Sequence, residues 1–199
     1  MILHIVHVSS FAQSSFLFTN LNVSPRIEAL GGEVNAIIDN DVNLAQYTPS
    51  LLNREMDGMV SFGFSDYFID IKGFSFNFAK YSQKLGMFSL AIKAIDYGDF
   101  TYRDVLGNDL GEFSASDQMI TFGIAKELYK SLIFGINFSF LNSYYENYHS
   151  TAIMSNVSTT YNIKEKNATT TFLIENIGRE LVLYNSISNK TPLNLQFGF

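Results

Sequence analysis

The chain has 199 residues, enough for one domain with a real core. It has no cysteine, which excludes a disulfide framework and any cysteine-based metal site. Its formal net charge is −6 and its positive charges are scattered, which excludes the basic patch that nucleic-acid binding needs. Of its three histidines, His4 and His7 sit at the extreme N-terminus and His149 stands alone, so no histidine cluster forms. Nineteen Phe and eleven Tyr with no Trp favour strands.

Residues 1–12, MILHIVHVSSFA, form a short apolar run closed by small residues around Phe11. This reads as a signal peptide, incomplete because the basic n-region is missing. The alternative is a buried strand over Ile2 to Val8. No run of eighteen apolar residues follows, so no transmembrane helix is expected.

Residues 13–55 differ from the rest of the chain. Ser24-Pro25 predicts a helix start, with a capping hydroxyl followed by proline at the first helical position. Gly31-Gly32 ends that helix after barely two turns. Asp41 predicts the cap of a second short helix through Asn43 to Tyr47, ended by Pro49. Asp39, Asp41 and Asn43 match the first three ligand positions of a calcium loop. However, Leu44 replaces its glycine and Ser50 its glutamate. The paired glycines lack the G-x-G-x-x-G pattern, and no Walker lysine follows them. The remaining reading is a compact, partly helical plug, with Arg26, Asp39 and Asp41 facing polar groups.

From residue 59 the period is two, and about eight strands are predicted over 56–199. Phe62 and Phe64, Phe74 to Phe78, Phe88 to Ala94, Ile120 to Ile124 and Phe134 to Phe140 supply one apolar face. Ile153 to Tyr161, Phe172 with Ile174, and Leu193 to Phe199 continue it. The other face is Ser, Gly, Asn, Thr and Ala, and the mid-strand charges Lys93 and Glu175 fall on it. A transmembrane barrel requires that arrangement, because Lys or Arg facing mid-bilayer costs about 2–4 kcal/mol. A soluble sandwich also alternates, but it usually carries more charge than the 16% found here. Tyr144, Tyr145 and Tyr148 suit an interfacial aromatic girdle, or equally an exposed loop.

The run Arg26-x-x-Ala-Leu-Gly31-Gly32, then Asp39-x-Asp41-x-Asn43, then Pro49 followed by Leu-Leu-Asn, resembles the N-terminal hatch of the FadL-like outer-membrane proteins. Where that family has Asn-Pro-Ala, this chain has Thr48-Pro49-Ser50. Two further stretches are similar to the PorQ group of that family, which belongs to the type IX secretion system, with the PorV group next. One is the loop over 96–117, with Tyr97, Gly98, Gly107, Asn108, Gly111, Phe113 and Asp117. The other is Ile174 to Gly178 followed by Pro192 to Gly198.

The resemblance implies an all-β fold: an antiparallel transmembrane β-barrel with a short N-terminal plug, lodged in the outer membrane. It implies contacts with other type IX secretion components, sorting-domain cargo proteins and outer-membrane lipid, with no nucleic acid, no cofactor and no enzymatic activity. The alternative within the family is a channel for hydrophobic small molecules. A soluble exported β-sandwich used in adhesion is the reading outside it. An eight-stranded barrel fills its own interior with side chains and has no room for a plug. The expectation is therefore that these strands are part of a larger barrel, with Phe199 not a terminal signal.

Overall fold

The computed structural model describes residues 15–32, 34–163, 165, 168–184 and 191–199; the apolar run at 1–12 lies outside them. All eight periodic segments are strands: β1 (Val60–Asp66), β2 (Lys72–Ser82), β3 (Gly86–Arg103), β4 (Asp109–Tyr129), β5 (Leu132–Tyr145), β6 (Tyr148–Ile163), β7 (Ala168–Val182) and β8 (Asn194–Gly198). They form one antiparallel sheet in the order β1 to β8, each strand pairing with its sequence neighbours. Among the described residues β1 and β8 are free edges and the sheet does not close. No helix among them is long and apolar enough to cross a membrane.

The two faces are inverted relative to a water-soluble sheet. The aromatic face is open: Phe62 is 80% exposed, and Phe122 and Phe138 are each 61% exposed. The small polar face is buried, including Asn137, Thr160 and Lys93. Residues 15–59 cover it. Phe16, Phe18 and Val23 pack on Ile95, Met119, Leu141, Ala152 and Met154. Val42, Ala45, Leu52 and Met56 pack on Ala79, Met87 and Ala125. Ile27, Val34, Leu44 and Leu51 form a third cluster within the segment itself.

Strand pairing reveals a pattern on the aromatic face that alternation alone cannot. The row Phe64–Phe74–Ala94 turns polar at Gln118, Asn142 and Thr151. The next row, Phe62–Phe76–Ile92–Ile120–Phe140–Ile153, stays apolar as far as Arg179 on β7. A lower row starts at Lys80 and is then apolar through Phe88, Ile124, Ile136, Val157, Ile174 and Leu195. The lowest starts at Lys126 and continues through Phe134, Thr159, Phe172 and Phe197. The apolar belt therefore crosses the strands obliquely. With strands ~4.8 Å apart and same-face residues ~6.8 Å apart, its edges slope about 25–35°.

The second resembling stretch, expected as a loop over 96–117, is instead a β-hairpin. A bulge between Asp96 and Asp99 redirects β3. The strands then run on as an isolated pair to a turn at 104–108, while β5 leaves β4 at Ala115. His149, the histidine that stands alone, is on β6, and its ring stacks on that of Tyr144.

Candidate functional site

The site with the most specific chemistry is the seat of residues 15–59 on the polar face. Short helical turns leave backbone carbonyls without partners, and strand side chains supply the missing donors. One turn spans Leu17–Asn20. The Lys93 ammonium donates to the carbonyls of Thr19 (3.0 Å) and Leu21 (2.8 Å) and lies 5.8 Å from the Phe18 ring and 5.4 Å from the Tyr47 ring. A buried lysine is tolerable on such terms, with hydrogen bonds and ring faces replacing water.

A second turn, Val42–Gln46, is held by an asparagine relay across three strands. Asn137 on β5 donates from Nδ2 to the Gln46 carbonyl (2.8 Å), and its Oδ1 accepts from the Asn156 amide (2.8 Å). Asn156 on β6 donates to the Tyr47 carbonyl (3.0 Å) and accepts from the Asn176 amide (2.9 Å). Asn176 on β7 donates to the Pro192 carbonyl (3.1 Å). Asn176 has φ +58° at a bulge in the β6–β7 ladder, a conformation that Asn adopts more readily than most residues. The relay links the two pieces 174–178 and 192–198 that the sequence had set side by side.

The third turn, Pro49–Leu51, is the most deeply seated. The Ser50 amide donates to Ser158 Oγ (2.8 Å), and Ser50 Oγ shares a hydrogen bond with Thr160 Oγ1 (2.7 Å), itself bonded to Thr171 Oγ1 (2.9 Å). Pro49 and Ser50 lie directly on Gly135. Further ties run from Asn77 Nδ2 to Asn43 Oδ1 (2.8 Å) and from Asn35 Nδ2 to Gln196 Oε1 (2.7 Å).

The sequence-predicted residues fall into two groups, one in the segment and one in the β3–β4 hairpin. Arg26, Asp39 and Asp41 bond to one another rather than to polar groups of the strands, while Asn43 joins them and also accepts from Asn77 of β2. Arg26 donates to Asp41 (3.0 Å) and to Asp39, and its side chain is 47% exposed. The two carboxylates raise the guanidinium pKa further, Asp39 more than Asp41. The carboxylates also bond locally: Asp39 accepts from the Asp41 amide (2.9 Å), and Asp41 accepts from the Asn43 amide (3.0 Å) and from its side chain (2.6 Å). The triplet that matched a calcium loop is thus an Arg-closed turn. Among the described residues no group of three or more His, Cys, Asp or Glu side chains converges on a point.

Two local expectations are corrected. Ser24 makes no side-chain cap for the helix α1 (Pro25–Ala29); proline at its first position, which needs no donor, starts it. Pro49 does not end the Val42–Gln46 turn but opens the next one. Gly32 has φ +82° and receives the Asn22 side chain on its carbonyl (3.1 Å), so the chain reverses there as a glycine allows.

The other predicted group is split. Asp117 is buried and accepts from Tyr97 (2.6 Å), Tyr145 (3.0 Å) and Ser143, tying β3, β4 and β5 above the segment. Tyr145 thus points its hydroxyl at Asp117 on the inner side, although the residue is 37% exposed, and Tyr144 and Tyr148 are exposed too. Gly98 sits at the β3 bulge, Gly107 and Asn108 in the hairpin turn, Gly111 opposite Tyr102, and Phe113 stacks on Phe100 at 5.3 Å. The wall side chains that sequence reasoning missed are the donors Asn137 and Asn156, the acceptor Ser158, and Thr160. Their signal was present as an unusual run of amides and hydroxyls at inward positions, but which of them met backbone depended on the fold.

No protein-family model matches the chain, and no curated protein matches it.

Proposed function

We propose that the chain is a membrane-spanning part of an outer-membrane β-barrel of the type IX secretion system. In this reading, residues 15–59 plug the lumen, and the protein acts by protein contacts rather than by catalysis. The observation that carries the membrane assignment is the oblique aromatic belt. Strands of outer-membrane barrels are tilted about 35–45° and carry an apolar band ~25 Å tall. A belt perpendicular to the membrane normal must then cross the strands at a slant, and this one does. Its three or four outward residues per strand, corrected for that slant, give a band of roughly 17–25 Å. Lys72, Lys80, Lys126 and Arg179 stand at its rims, where a charge can reach water.

The same reading requires the outer edges of β1 and β8 to be paired in the membrane, because each unsatisfied backbone group in hydrocarbon costs several kcal/mol. It also gives the plug a side. The plug enters β1 at the end where β2–β3 and β4–β5 are joined by the short turns 83–85 and 130–131. Short turns are periplasmic in such barrels and long connections extracellular; the opposite end has the short turn 146–147 but also the long β3–β4 hairpin, and that hairpin is what assigns it to the outside of the cell.

The assignment to type IX secretion rests on the resemblance at 96–117 and 174–198, which implies partners among the other secretion components and sorting-domain cargo. The test is deletion of the gene in its host. Cargo bearing the sorting domain should be retained in the periplasm, while uptake of labelled fatty acid is unchanged. Normal cargo secretion would overturn the assignment, and lost fatty-acid uptake would favour the channel.

A further inference from the structure

The β3–β4 hairpin beyond the belt is built unlike an ordinary exposed turn. Such turns place polar residues in water, whereas here the polar residues are used internally. Asp104 accepts from the Leu106 amide (2.9 Å), the Asn108 amide (2.9 Å) and Asn108 Nδ2 (2.8 Å). The backbone closes the same loop through Gly107 N to Asp104 O (3.0 Å) and Asp104 N to Asn108 O (3.1 Å). The side chains left facing solvent at the tip are apolar: Val105 is fully exposed and Leu106 is 83% exposed.

The arms are two-faced. Phe100 pairs with Phe113, and Tyr102 follows them on one face; Asp99, Thr101, Glu112 and Ser114 line the other. Over residues 99–112 there are four carboxylates (Asp99, Asp104, Asp109 and Glu112) and one guanidinium, Arg103. A free two-stranded hairpin is marginal by itself, and an exposed apolar tip adds nothing to folding. A turn held rigid before binding does lower the entropy cost of an interface.

We infer that this hairpin is a docking finger for a second protein, whose complementary surface has an apolar socket for Val105 and Leu106 bordered by Lys and Arg. The charge chooses the partner class: a net-acidic finger is repelled by anionic lipid head groups and by nucleic acid, and is steered toward a basic protein surface. The inference rests on the membrane reading for the side on which the partner lies, and on the hairpin alone for the surface itself.

The test is site-specific photocrosslinking in cells of the host, with a photoreactive phenylalanine analogue replacing Tyr102. The expected result is one protein adduct whose crosslinked peptide, identified by mass spectrometry, lies in a Lys/Arg-rich surface. Adduct yield should fall at least fivefold in V105S/L106S. It should fall similarly in D99K/E112K, which leaves every hydrogen bond of the turn in place. A lipid adduct, an adduct with a second copy of this chain, no adduct, or a yield unchanged by charge reversal would each overturn the inference. Recovery of the chain in the membrane fraction is scored in the same cells. A chain that is not membrane-bound but still crosslinks to a basic protein would refute the membrane reading and leave the finger standing.

Discussion

Gly135→Ala isolates the docking of residues 15–59 from every other feature of the protein. Gly135 lies on β5 opposite Ser158 and beneath Pro49 and Ser50. A Cβ there would stand 2.3 Å from Ser50 N, 2.4 Å from the Pro49 carbonyl carbon and 2.8 Å from its oxygen. All three are backbone atoms, so no rotamer change relieves the overlap. The turn must retreat by about 1 Å, which stretches the 2.8 Å and 2.7 Å hydrogen bonds of Ser50 past useful length. Each such bond contributes about 0.5–1.5 kcal/mol, and leaving its buried partner unsatisfied costs about 1–3 kcal/mol. We expect docking of the segment to weaken by about 3–5 kcal/mol, so that the undocked population rises by about two to four orders of magnitude. Hydrogen exchange of the full chain in lipid reads this directly. Amides of residues 44–52 should exchange at least a hundredfold faster, while those at the centres of β4 and β5 stay within threefold of the parent. Unchanged exchange over 44–52 would refute the close approach of Pro49–Ser50 to β5, and with it the geometry of the seat.

Lys93→Met should destabilise the protein by about 1–3 kcal/mol in chemical denaturation, because two buried carbonyls lose their donor while the relief of burying an ammonium offsets part of that loss; a stabilised variant would show that the lysine is a net burden. Phe138→Arg places a charge in the middle of the aromatic belt. It should reduce insertion into lipid vesicles by about 2–4 kcal/mol if that face meets hydrocarbon, whereas a neutral effect at this exposed position would argue for water. In vesicles, both alternating sets of β1 amides between Ser61 and Ser65 should be protected from exchange, because the membrane reading requires the outer edge to be paired; persistent fast exchange of every second amide would contradict it.

The strands were legible because most carry a two-residue period, from Phe74-x-Phe76-x-Phe78 on β2 to Leu195-x-Phe197 on β8, with a weaker one on β6 through Ile153, Val157 and Tyr161. Legibility failed where the period was broken for a physical reason. At Tyr97-Gly98 a bulge shifts the phase, and beyond it Phe100, Tyr102 and Phe113 alternate with charges in a hairpin that has no third strand to bury either face. That stretch therefore read as a loop. The oblique belt was invisible for a different reason: slant is a property of register, and register between strands is not carried by any one strand's composition. Within the seat, the Arg26–Asp39–Asp41 group attracted attention because its charges are rare in this chain, yet it is an exposed cluster of modest worth, about 1 kcal/mol or less for such a pair. The asparagines that do the positioning look, in sequence, like any small polar residue.

The polar face could have been the wall of a water-filled passage or a surface made to hold something, and the partners of its amides distinguish the two. Side chains lining water have no reason to converge on particular carbonyls. Here Lys93, Asn137 and Asn156, on three different strands, each donate to a backbone carbonyl of the N-terminal segment, while Ser158 accepts from one of its backbone amides. Irregular backbone is tolerated at membrane depth only where protein or enclosed water satisfies it. A plug of short turns therefore demands a wall rich in Asn, Ser and Thr, and a wall of that kind needs a plug to satisfy it. The short turns Leu17–Asn20, Val42–Gln46 and Pro49–Leu51 and the Asn-, Ser- and Thr-rich alternate positions of the strands are two halves of one interface, and neither half is explained by the requirements of a strand or a helix taken alone.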